Sequence, residues 1–507
     1  MLLVAANKMT GFAIELSFSI RGIHYYSGCD GIQAIIQDIN IQDESSEQIG
    51  QTEAIYHNLN VDFEKKCPIT FQFEKMKRLR VDLYVLNSTT ERIMGSYAQC
   101  HFDLSLVLAR GGKLVLPIPN TRSLLEITAH VPQYYSQFLT LQFTGSHIHS
   151  KDDLPLALYY ILSITTTNRT ILLHKSEIIR DHKNPKWVIF SIPLYILNIY
   201  NDAPISIYCY NQIPNHPDEV IGHCSTTLTQ LQRGVGQNSF MLLNLNGTRI
   251  DEKCCIDLKY MELSTGPTFF DILKNKTNIH LTEAIDLTAS NGNPTLESSL
   301  HYIHPHRASP YLKTIVNITP PFMAYLPNPE NPFIGALGFG ANVNQSFSNC
   351  FLLNGRVDDH RVPGLVGLID SYRTAILSVQ PFAPTDFSEI VYYVSKFAKA
   401  ESRRKVGIYF VLLILSDGGP ANNQTMRKTI DSLVDASPHP ISIIAVGIGE
   451  DRDISPMRNL EGLTLKHSDG RSLVRQNYTF LEASEIETSD ALSMIPLQMI
   501  QYEQLKN

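Results

Sequence analysis

The sequence predicts a multidomain protein in which two all-β sandwiches are followed by an α/β domain with a doubly wound sheet. Three observations support this fold class. Short runs of alternating apolar and polar residues fill the chain from about Gly11 to Asn246, a spacing typical of sandwich strands. A loose motif occurs twice within that region. Beyond Gly266 the apolar runs lose their alternation, as in strands that are buried on both faces.

The repeated motif consists of a glutamate, an asparagine seven positions later and an aromatic residue three positions after that. The first copy is Glu53, Asn60 and Phe63, and the second is Glu177, Asn184 and Trp187. A strand, an Asn-containing turn and a buried aromatic residue that opens the next strand would explain the spacing. We therefore predict two sandwiches of similar size, at residues 8–130 and 136–263.

In the remaining chain, continuous apolar runs alternate with segments whose apolar residues recur at helical spacing. The runs are Ile279–Asp286, Ile334–Gly340, Tyr409–Leu415 and Ile441–Gly449, and apolar residues at helical spacing occur at 365–377 and 387–394. Buried strands separated by helices form a doubly wound α/β sheet. We assign this domain to residues 266–490 and predict a closing helix within 491–507, from Ala491 to Tyr502, kinked or started at Pro496.

Composition excludes several classes of protein. The 507 residues are 43% hydrophobic and 18% charged, with a net charge of −7, so no nucleic-acid partner is expected. Eight cysteines show no Cys-x-x-Cys spacing, which argues against a zinc knuckle or a redox pair. The N-terminus lacks the features of a signal peptide, and the longest apolar run is too short to span a bilayer. We expect a cytoplasmic protein.

Oxygen-bearing side chains follow two of the predicted buried strands. Asp286 ends one strand and is followed by Thr288 and Ser290, while Asp417 follows another, and the turn before a helix carries Thr385. The carboxyl ends of parallel strands open into one crevice. Carboxylate and hydroxyl oxygens suit a hard divalent cation such as Mg²⁺, which would also relieve repulsion between two carboxylates. The alternative is that each residue only caps the next helix.

Several segments of this half closely resemble the copine family. They are Asp286-Leu-Thr-Ala-Ser-Asn-Gly-Asn-Pro, Leu300-His-Tyr, Ala336-Leu-Gly-Phe-Gly-Ala, Pro384-Thr-Asp-Phe and Leu412-Leu-Ile-Leu-Ser-Asp-Gly. The resemblance implies two C2 domains followed by a von Willebrand factor A-like domain with a metal-ion-dependent adhesion site. Its ligands would be Asp286, Thr288, Ser290, Thr385 and Asp417, holding Mg²⁺ or Mn²⁺ and leaving one position for an acidic residue of an intracellular partner protein.

The C2 calcium sites implied by the resemblance are incomplete in this sequence. Asp30 stands where the first loop supplies an aspartate, but Val85 and Asn87 replace two aspartates of the third loop. The second domain has Cys209 and Asn211 at those positions. Leu154 replaces a loop-one aspartate there, and Asp152 and Asp153 are nearby substitutes. Calcium takes six to eight oxygens. We therefore expect neither domain to bind Ca²⁺ with normal family affinity.

Basic residues of the first sandwich offer another route to an anionic phospholipid surface. They are Lys65, Lys66, Lys75, Lys77, Arg78 and Arg80, which we place on neighbouring strands. Each cation near an anionic leaflet contributes about 1 kcal/mol. The alternative is an ordinary solvated sheet face.

These features favour a non-catalytic adaptor that binds phospholipid through tandem C2 domains and proteins through the A-like domain, reversibly at the plasma membrane or other membranes. One alternative is a metal-dependent phosphohydrolase, although such enzymes usually carry a second aspartate where Thr288 stands. The other is a protein-only scaffold without lipid binding.

Overall fold

The computed structural model describes residues 11–41, 43–150, 155–165, 170–199, 203–213, 218–304, 306–404, 407–449, 452–461, 464–486 and 491–506. Within these ranges, four antiparallel sheets precede one mostly parallel sheet and one small antiparallel sheet. The predicted order of two all-β sandwiches followed by an α/β doubly wound domain is confirmed.

The first sandwich consists of two facing antiparallel sheets. Its elements are β1 (Phe12–Arg21), β2 (Gly31–Ile39), β3 (Ser46–Gln51), β4 (Ile55–Tyr56), β5 (Val61–Asp62), β6 (Cys67–Phe71), β7 (Arg78–Asn87), β8 (Arg92–Asp103), α1 (Leu104–Ala109), β9 (Lys113–Pro117) and β10 (Leu124–His130). One sheet has the order β5-β1-β10-β9 with β6 on β1, and the other β3-β2-β7-β8 with β4 on β2. Every second residue of β1 is buried, so its apolar face closes the core.

The second sandwich repeats this arrangement. Its strands are β11 (Gln137–Ser146), β12 (Ala157–Thr165), β13 (Thr170–Lys175), β14 (Ile179–Arg180), β15 (Phe190–Pro193), β16 (Ile205–Asn211), β17 (Glu219–Thr226), β18 (Ser239–Met241) and β19 (Cys255–Thr265), and its helices are α2 (Leu194–Ile199) and α3 (Leu228–Leu231). The sheet orders are β15-β11-β19-β18 and β13-β12-β16-β17, with β14 on β12.

The repeated glutamate plays the same role in both sandwiches. Oε1 of Glu53 accepts a hydrogen bond from the backbone N of Glu64 at 2.6 Å. Oε1 of Glu177 accepts one from the backbone N of Val188 at 2.7 Å. In each copy the donor directly follows the aromatic residue of the motif. Neither aromatic residue opens a strand as predicted, because both lie in the connection that precedes the next strand, β6 or β15. The glutamate therefore holds this connection in place.

The repeated asparagine also accepts the same kind of hydrogen bond in both sandwiches. Oδ1 of Asn60 accepts from the backbone N of Gly22 at 3.0 Å, and Oδ1 of Asn184 accepts from the backbone N of His147 at 2.7 Å. The aromatic residues that follow are buried in both sandwiches. The internal repeat predicted from the sequence is therefore confirmed at the level of single hydrogen bonds.

The α/β domain completes the described chain. Its strands are β20 (Asn278–Asp286), β21 (Phe333–Phe339), β22 (Ala341–Val343), β23 (Ser346–Ser348), β24 (Phe351–Leu352), β25 (Arg361–Pro363), β26 (Gln380–Pro381), β27 (Ile408–Ser416), β28 (Ile441–Gly447) and β29 (Tyr478–Glu482). Its helices are α4 (Phe269–Lys274), α5 (Pro310–Ile318), α6 (Gly364–Ser378), α7 (Ser388–Glu401), α8 (Asn423–Ala436), α9 (Ser455–Asn459) and α10 (Met494–Leu505).

The order of the large sheet positions the candidate site. It runs β24-β21-β20-β27-β28-β29 with β25 on β21, while β22 pairs with β23 and β26 in the small sheet. β20 is parallel to β21 on one side and to β27 on the other. The chain first moves outward from β20 to β21 and later returns to β27, which makes the β20–β27 boundary the switch point where such sheets bind ligands.

The predicted closing helix is confirmed, with its start and end shifted. A 3₁₀ turn at Ala491–Ser493 leads into α10 (Met494–Leu505), and Pro496 lies in the first turn, where a missing N–H breaks no helical hydrogen bond. The amide of Gln501 donates to the carbonyl of Leu172 in β13, and that of Gln504 to Ser191 in β15, both at 3.2 Å. α10 thus covers the edge strands of the second sandwich.

The first sandwich also packs on the α/β domain. The ring of Phe73 stacks on Tyr325 with centroids 5.1 Å apart, and Phe71 stacks on Phe269 at 6.5 Å. Large aromatic side chains bury much apolar area at such contacts. One continuous core therefore runs through residues of all three domains.

Candidate functional site

The candidate site lies at the switch point of the large sheet. β20 ends at Asp286, and β27 ends at Ser416 directly before Asp417. Ile285 pairs with Leu415, so the two strand ends are level and the acidic residues that follow them meet at the same edge. The two apolar strands thus bring Asp286 and Asp417 side by side, although these residues are far apart in the sequence.

Hydrogen bonds join four of the five predicted ligands into one chain. The backbone N of Thr288 donates to Oδ1 of Asp286 at 2.8 Å, and Oγ of Ser290 donates to Oδ1 of Asp417 at 2.8 Å. The hydroxyls of Thr288 and Ser290 are 2.9 Å apart. Because the Ser290 proton is used by Asp417, the Thr288 hydroxyl is the donor between them. The oxygens form a continuous arc between the two carboxylates.

The fifth predicted ligand, Thr385, is hydrogen-bonded through its backbone to the loop that follows Asp417. The carbonyl of Thr385 accepts a hydrogen bond at 3.1 Å from the N of Ala421, in the loop that follows Asp417. Across the described ranges, no hydrogen bond links the Thr385 side chain to the other four predicted ligands. The structure therefore places Thr385 beside the loop of Asp417 but outside the hydrogen-bonded arc.

Both carboxylates are buried and resist ionisation. Burial, reinforced by the charge of Asp417, raises the pKa of Asp286 to about 7 against the opposing hydrogen bonds from Ser416 and Thr288. Burial also raises the pKa of Asp417. Oδ2 of Asp417 is buried without a hydrogen-bond partner, and its nearest cationic atom is Nε of Arg452 at 3.6 Å.

This donor set fits a hard divalent cation. Such an ion would offset the repulsion between the two carboxylates and would use the unpartnered oxygen of Asp417. Ser290 is exposed, so one side of the arc opens to solvent. No group of three or more His, Cys, Asp and Glu side chains suited to a metal occurs in the described part of the chain, which argues against a zinc-type centre there.

Two residues that support Asp286 were not singled out from the sequence. The hydroxyl of Ser416 donates to Oδ2 of Asp286. His301 is buried, which lowers its pKa to about 4 and keeps it neutral near pH 7. Its Nε2 donates to the backbone carbonyl of Asp286 and its Nδ1 accepts from the hydroxyl of Tyr372, both at 2.9 Å. Because Ser416 directly precedes Asp417, the sequence could have indicated that it lies at the site. Nothing in the sequence spacing of His301 indicated its hydrogen bond to the carbonyl of Asp286.

An exposed aromatic pair, which we call the aromatic rim, flanks the arc. The rings of Phe347 and Phe382 are 5.2 Å apart, and their exposed fractions are 39% and 46%. The carbonyl of Phe382 accepts from the N of Ala289 at 2.7 Å, and its backbone bridges to Thr288. Exposed aromatic residues are enriched at protein interfaces, so this edge of the sheet combines an oxygen cluster with an apolar contact surface.

Comparison with known proteins agrees with this architecture. The family model described as Copine matches residues 299–507. Copine-B of Dictyostelium discoideum is 26% identical over 525 aligned positions, which cover 97% of this chain and 96% of that protein. Both findings support the copine family for this chain.

Solved structures with C2 domains also match parts of this chain. A structure titled BON1-C2B is 19% identical with a TM-score of 0.23, covering 26% of this chain and 94% of that one. A tandem pair of C2 domains from Extended-Synaptotagmin 2 is 10% identical with a TM-score of 0.21, covering 53% and 97%.

The first sandwich of this protein closes its tip with its own hydrogen bonds. Both carboxylate oxygens of Asp30 accept from Ser88, one from the backbone N at 2.7 Å and one from the hydroxyl. Nδ1 of His57 lies 3.5 Å from Oδ2 of Asp30. The amide of Asn87 donates to the carbonyl of Gly28 at 2.8 Å. The two hydrogen bonds from Ser88 are the largest cause of the lowered pKa of Asp30, and the charge of His57 lowers it further. The same bonds occupy the carboxylate oxygens that a calcium ion would need.

The corresponding positions of the second sandwich are also poor in free oxygens. Cys209 is buried, and Oδ1 of the buried Asn211 accepts from the N of Ala157 at 2.7 Å. Asp152 and Asp153, the predicted substitutes in the first loop, lie outside the described residues. The described positions agree with weak calcium binding, which stays a prediction.

Four exposed apolar side chains lie on the loops and the hairpin at one end of the first sandwich. Tyr26, Leu59, Ile93 and Met94 are each more than half exposed. They come from the β1–β2 loop, the β4–β5 loop and the β7–β8 hairpin, which are joined through Asp30. We call these four residues the apolar tip. Because hydrogen bonds to Asp30 hold these loops together, their exposed apolar area lies at one end of the sandwich, where it is available to a contact.

The predicted placement of the basic residues on neighbouring strands is wrong. Lys65 and Lys66 directly precede β6, which pairs with β1 in one sheet, while Arg78 and Arg80 lie on β7 in the opposite sheet. Lys75 and Lys77 lie on the connection between β6 and β7. Alternation along the sequence shows that a segment is a strand but does not show to which sheet of a sandwich it belongs.

Most of these basic residues are also neutralised locally. Four of the six lie within 4 Å of a carboxylate, in the pairs Lys66–Glu15 at 3.2 Å, Lys77–Asp38 at 3.0 Å, Arg78–Asp103 at 3.4 Å and Arg80–Asp82 at 2.8 Å. These pairs reduce the positive potential that a lipid headgroup would meet. None of the described helices combines the length and apolar character that crossing a bilayer requires.

Proposed function

We propose that this copine is a peripheral membrane adaptor. The apolar tip of its first C2-type domain contacts an anionic phospholipid surface. Its α/β domain holds Mg²⁺ or Mn²⁺ at Asp286, Thr288, Ser290, Thr385 and Asp417 and presents the ion to an acidic side chain of a partner protein. The observation that carries this proposal is the oxygen arc between Asp286 and Asp417 at the switch point of the sheet.

The residues of the site have separable roles. Ser416 and His301 hold the carboxylate and the carbonyl of Asp286 in place, while Ser290 orients Asp417. A bound divalent cation would supply the positive charge that attracts a carboxylate from a partner. The aromatic rim, Phe347 and Phe382, then offers an apolar contact beside the bound ion. A partner would therefore be recognised both by its carboxylate and by its apolar surface.

Divalent cations should stabilise the wild-type protein. A ligand that binds only the folded state at 100 times its Kd adds about 2.7 kcal/mol, so 5 mM MgCl₂ or MnCl₂ is expected to raise the Tm by several degrees. Asp286→Asn removes a carboxylate oxygen while keeping the side-chain size, and we expect it to abolish this increase. Differential scanning fluorimetry with and without the metal is the measurement.

The matched control is Asp181→Asn, which removes an exposed carboxylate from the second sandwich at a positive φ that asparagine tolerates. It should keep the full metal-induced increase. An equal increase in the Asp286→Asn and Asp181→Asn proteins would place the bound metal elsewhere, and no increase in the wild type with either metal would contradict the proposed site.

The phosphohydrolase alternative predicts a different result at the same residues. A phosphatase of this kind usually carries a second aspartate where Thr288 stands, so Arg452, 3.6 Å from Asp417, does not by itself complete a phosphatase site. We expect no metal-dependent release of phosphate from p-nitrophenyl phosphate. Turnover that requires Mg²⁺ and is lost in Asp286→Ala would favour the enzyme over the adaptor.

Membrane binding by this copine should be insensitive to calcium, because Asp30 already accepts from Ser88 and lies beside His57. We expect equal co-sedimentation with phosphatidylserine vesicles in Ca²⁺ and in chelator. Burying one apolar side chain is worth roughly 1.5–3 kcal/mol. Replacing Ile93 and Met94 by Ser is therefore expected to weaken binding by at least about tenfold.

The control is Leu245→Ser, which removes an even more exposed apolar side chain from the second sandwich. It should bind vesicles like the wild type. Equal losses from this control, or binding that appears only with Ca²⁺, would refute the apolar tip as the contact. No vesicle binding by the wild type in either condition would support the protein-only scaffold.

A further inference from the structure

The α/β domain covers the outer face of one sheet of the second sandwich. The first eight residues of β12 are all buried, whereas β2, the corresponding strand of the first sandwich, leaves several residues partly exposed. Tyr160 points into the sandwich core, where its ring contacts Trp187. Because successive residues of a strand point to opposite faces, Tyr159 lies on the outer face, and it is fully buried there. A face that would otherwise meet solvent is thus closed by another domain.

A buried ion pair joins the two domains on this face. The ammonium of Lys466, in the β28–β29 connection of the α/β domain, pairs with the carboxylate of Asp218, which directly precedes β17 of the sandwich. Lys466 also donates to the carbonyl of Ile213 at 3.3 Å, and the hydroxyl of Tyr159 donates to the other carboxylate oxygen of Asp218 at 2.7 Å. The exposed fractions of the Lys466 and Asp218 side chains are only 16% and 3%. Their attraction is therefore little weakened by water.

The segment that carries Lys466 is fixed to its own domain. Lys466 and Ser472 form an isolated antiparallel bridge, which closes this segment into a hairpin. The carboxylate of Asp431 in α8 accepts hydrogen bonds from the backbone N and the hydroxyl of Ser468, at 2.7 and 2.6 Å. A side chain on so fixed a support loses little conformational freedom when it meets its partner. The α/β domain thus holds Lys466 ready for Asp218.

The interface around this ion pair is loosely packed. A cavity of about 460 Å³ separates β13 and β15 of the sandwich from residues 474–475 and α10. Three of the residues that line it carry a buried polar atom without a hydrogen-bond partner among the described residues, namely Nζ of Lys175, Nε of Arg475 and Oε1 of Gln501. Such atoms cost free energy that hydration recovers. Separation of the two surfaces would hydrate them, so the closed interface depends on its few strong contacts.

The first sandwich is attached to the α/β domain in a different way. The ring of Phe73 contacts those of Tyr325 and Phe322, at centroid distances of 5.1 and 5.6 Å. Aromatic contacts of this kind bury large apolar areas. The second sandwich instead meets this domain through the Lys466 pair and through hydrogen bonds with Gln476 and α10. Of the two sandwiches, the second is therefore the more easily detached.

The covalent connection between the two domains lies at the other end of the sandwich. The three residues Gly266–Thr268 lead to α4 from the end of β19 that pairs with Gln137. Asp218 lies at the opposite end, near the loop that follows Ser146, where β12 begins and β16 ends. A body that is tethered at one end and held by an ion pair at the other can pivot about the tether when the pair breaks.

We propose that Asp218 and Lys466 form a latch that keeps the outer face of the second sandwich closed against the α/β domain. Breaking the latch lets the sandwich pivot about Gly266–Thr268 and exposes the face that carries Tyr159. The second sandwich is thus an autoinhibited module, withheld from partners while the apolar tip of the first sandwich stays accessible. The latch requires neither the metal nor the lipid of the proposed function, so it stands or falls separately from both.

Acetylation of the full-length protein with an N-hydroxysuccinimide ester, followed by peptide mass spectrometry, measures the opening. Nζ of Lys175 is buried in the closed arrangement, whereas Lys183 of the same sandwich is exposed and serves as the internal reference. Lys466→Gln and Asp218→Asn should each raise the labelling of Lys175 relative to Lys183 at least about tenfold, because a broken buried ion pair is strongly unfavourable. The control Lys399→Gln, at an exposed lysine of α7, should leave this ratio unchanged.

The double variant Asp218→Asn/Lys466→Gln shows whether the two residues act as a pair. A latch predicts that its labelling ratio rises by less than the product of the two single increases. An increase equal to that product would overturn the latch. So would equal labelling of Lys175 and Lys183 in the wild type, because the face would then be open already. An unchanged ratio in Lys466→Gln would overturn it as well, even if Asp218→Asn labels faster, because only Asp218 belongs to the sandwich itself.

Discussion

Ile500→Asp is expected to destabilise this protein by at least about 4 kcal/mol, because it combines the loss of a large buried side chain with the burial of a carboxylate. Ile500 is fully buried in α10 and belongs to the core that runs through all three domains. The same helix is hydrogen-bonded to the edge strands β13 and β15 through Gln501 and Gln504. Displacing it would expose those edges, which are prone to pair with other chains.

The measurement is the yield of soluble protein together with its Tm. We expect Ile500→Asp to be largely insoluble or to melt more than about 8 °C below the wild type, since 1 kcal/mol shifts the Tm of a domain of this size by roughly 2–4 °C. Leu505→Asp is the matched control, because Leu505 ends the same helix with about half of its surface exposed. If both variants melted together with the wild type, α10 would not support the domain core.

The sequence predicted the position of the candidate site because parallel strands end at one edge of a sheet. Asp286 and Asp417 each follow an apolar run, and the pairing of Ile285 with Leu415 brings the ends of those runs level. Thr288 and Ser290 are close to Asp286 in the sequence and had to lie nearby. Local pattern and sheet geometry were sufficient for these four residues.

Other features depended on contacts that no local pattern encodes. His301 reaches the carbonyl of Asp286 only because the connection after β20 folds back onto the sheet. Gln501 of α10 likewise reaches the carbonyl of Leu172 in the second sandwich from the other end of the chain. The same limitation explains the wrong placement of the basic residues, since consecutive strands of a sandwich often belong to opposite sheets.

A buried acid in the middle of β20 should make the stability of the α/β domain depend on pH. Glu283 is fully buried, and this burial raises its pKa to about 8 despite the hydrogen bond that Thr319 donates to its Oε1 at 2.6 Å. Its Oε2 has no partner. An unfolded chain releases this proton near pH 4.3, so between these two values the folded state holds a proton that the unfolded state does not.

The sign of the effect follows from that difference. Where the folded state binds more protons, stability falls as pH rises, by about 1.4 kcal/mol per pH unit for one proton. Stability linked to Glu283 is thus complete below pH 4.5 and is lost progressively up to about pH 8. Glu283→Gln imitates the protonated form, keeps an oxygen for Thr319 and removes this dependence.

We expect Glu283→Gln to match the wild type near pH 5 and to be more stable by roughly 3 kcal/mol at pH 8, a difference derived from the pKa shift and reduced for relaxation of the folded state. Tm values recorded for both proteins from pH 5 to pH 8 would show the curves diverging as pH rises. Other titrating groups affect both proteins equally, so the difference isolates Glu283. Glu297→Gln, at an exposed position of the same domain, should give no divergence. A constant offset between Glu283→Gln and the wild type would mean that Glu283 is ionised in the folded as well as the unfolded state throughout this range, and the variant would then act through packing alone.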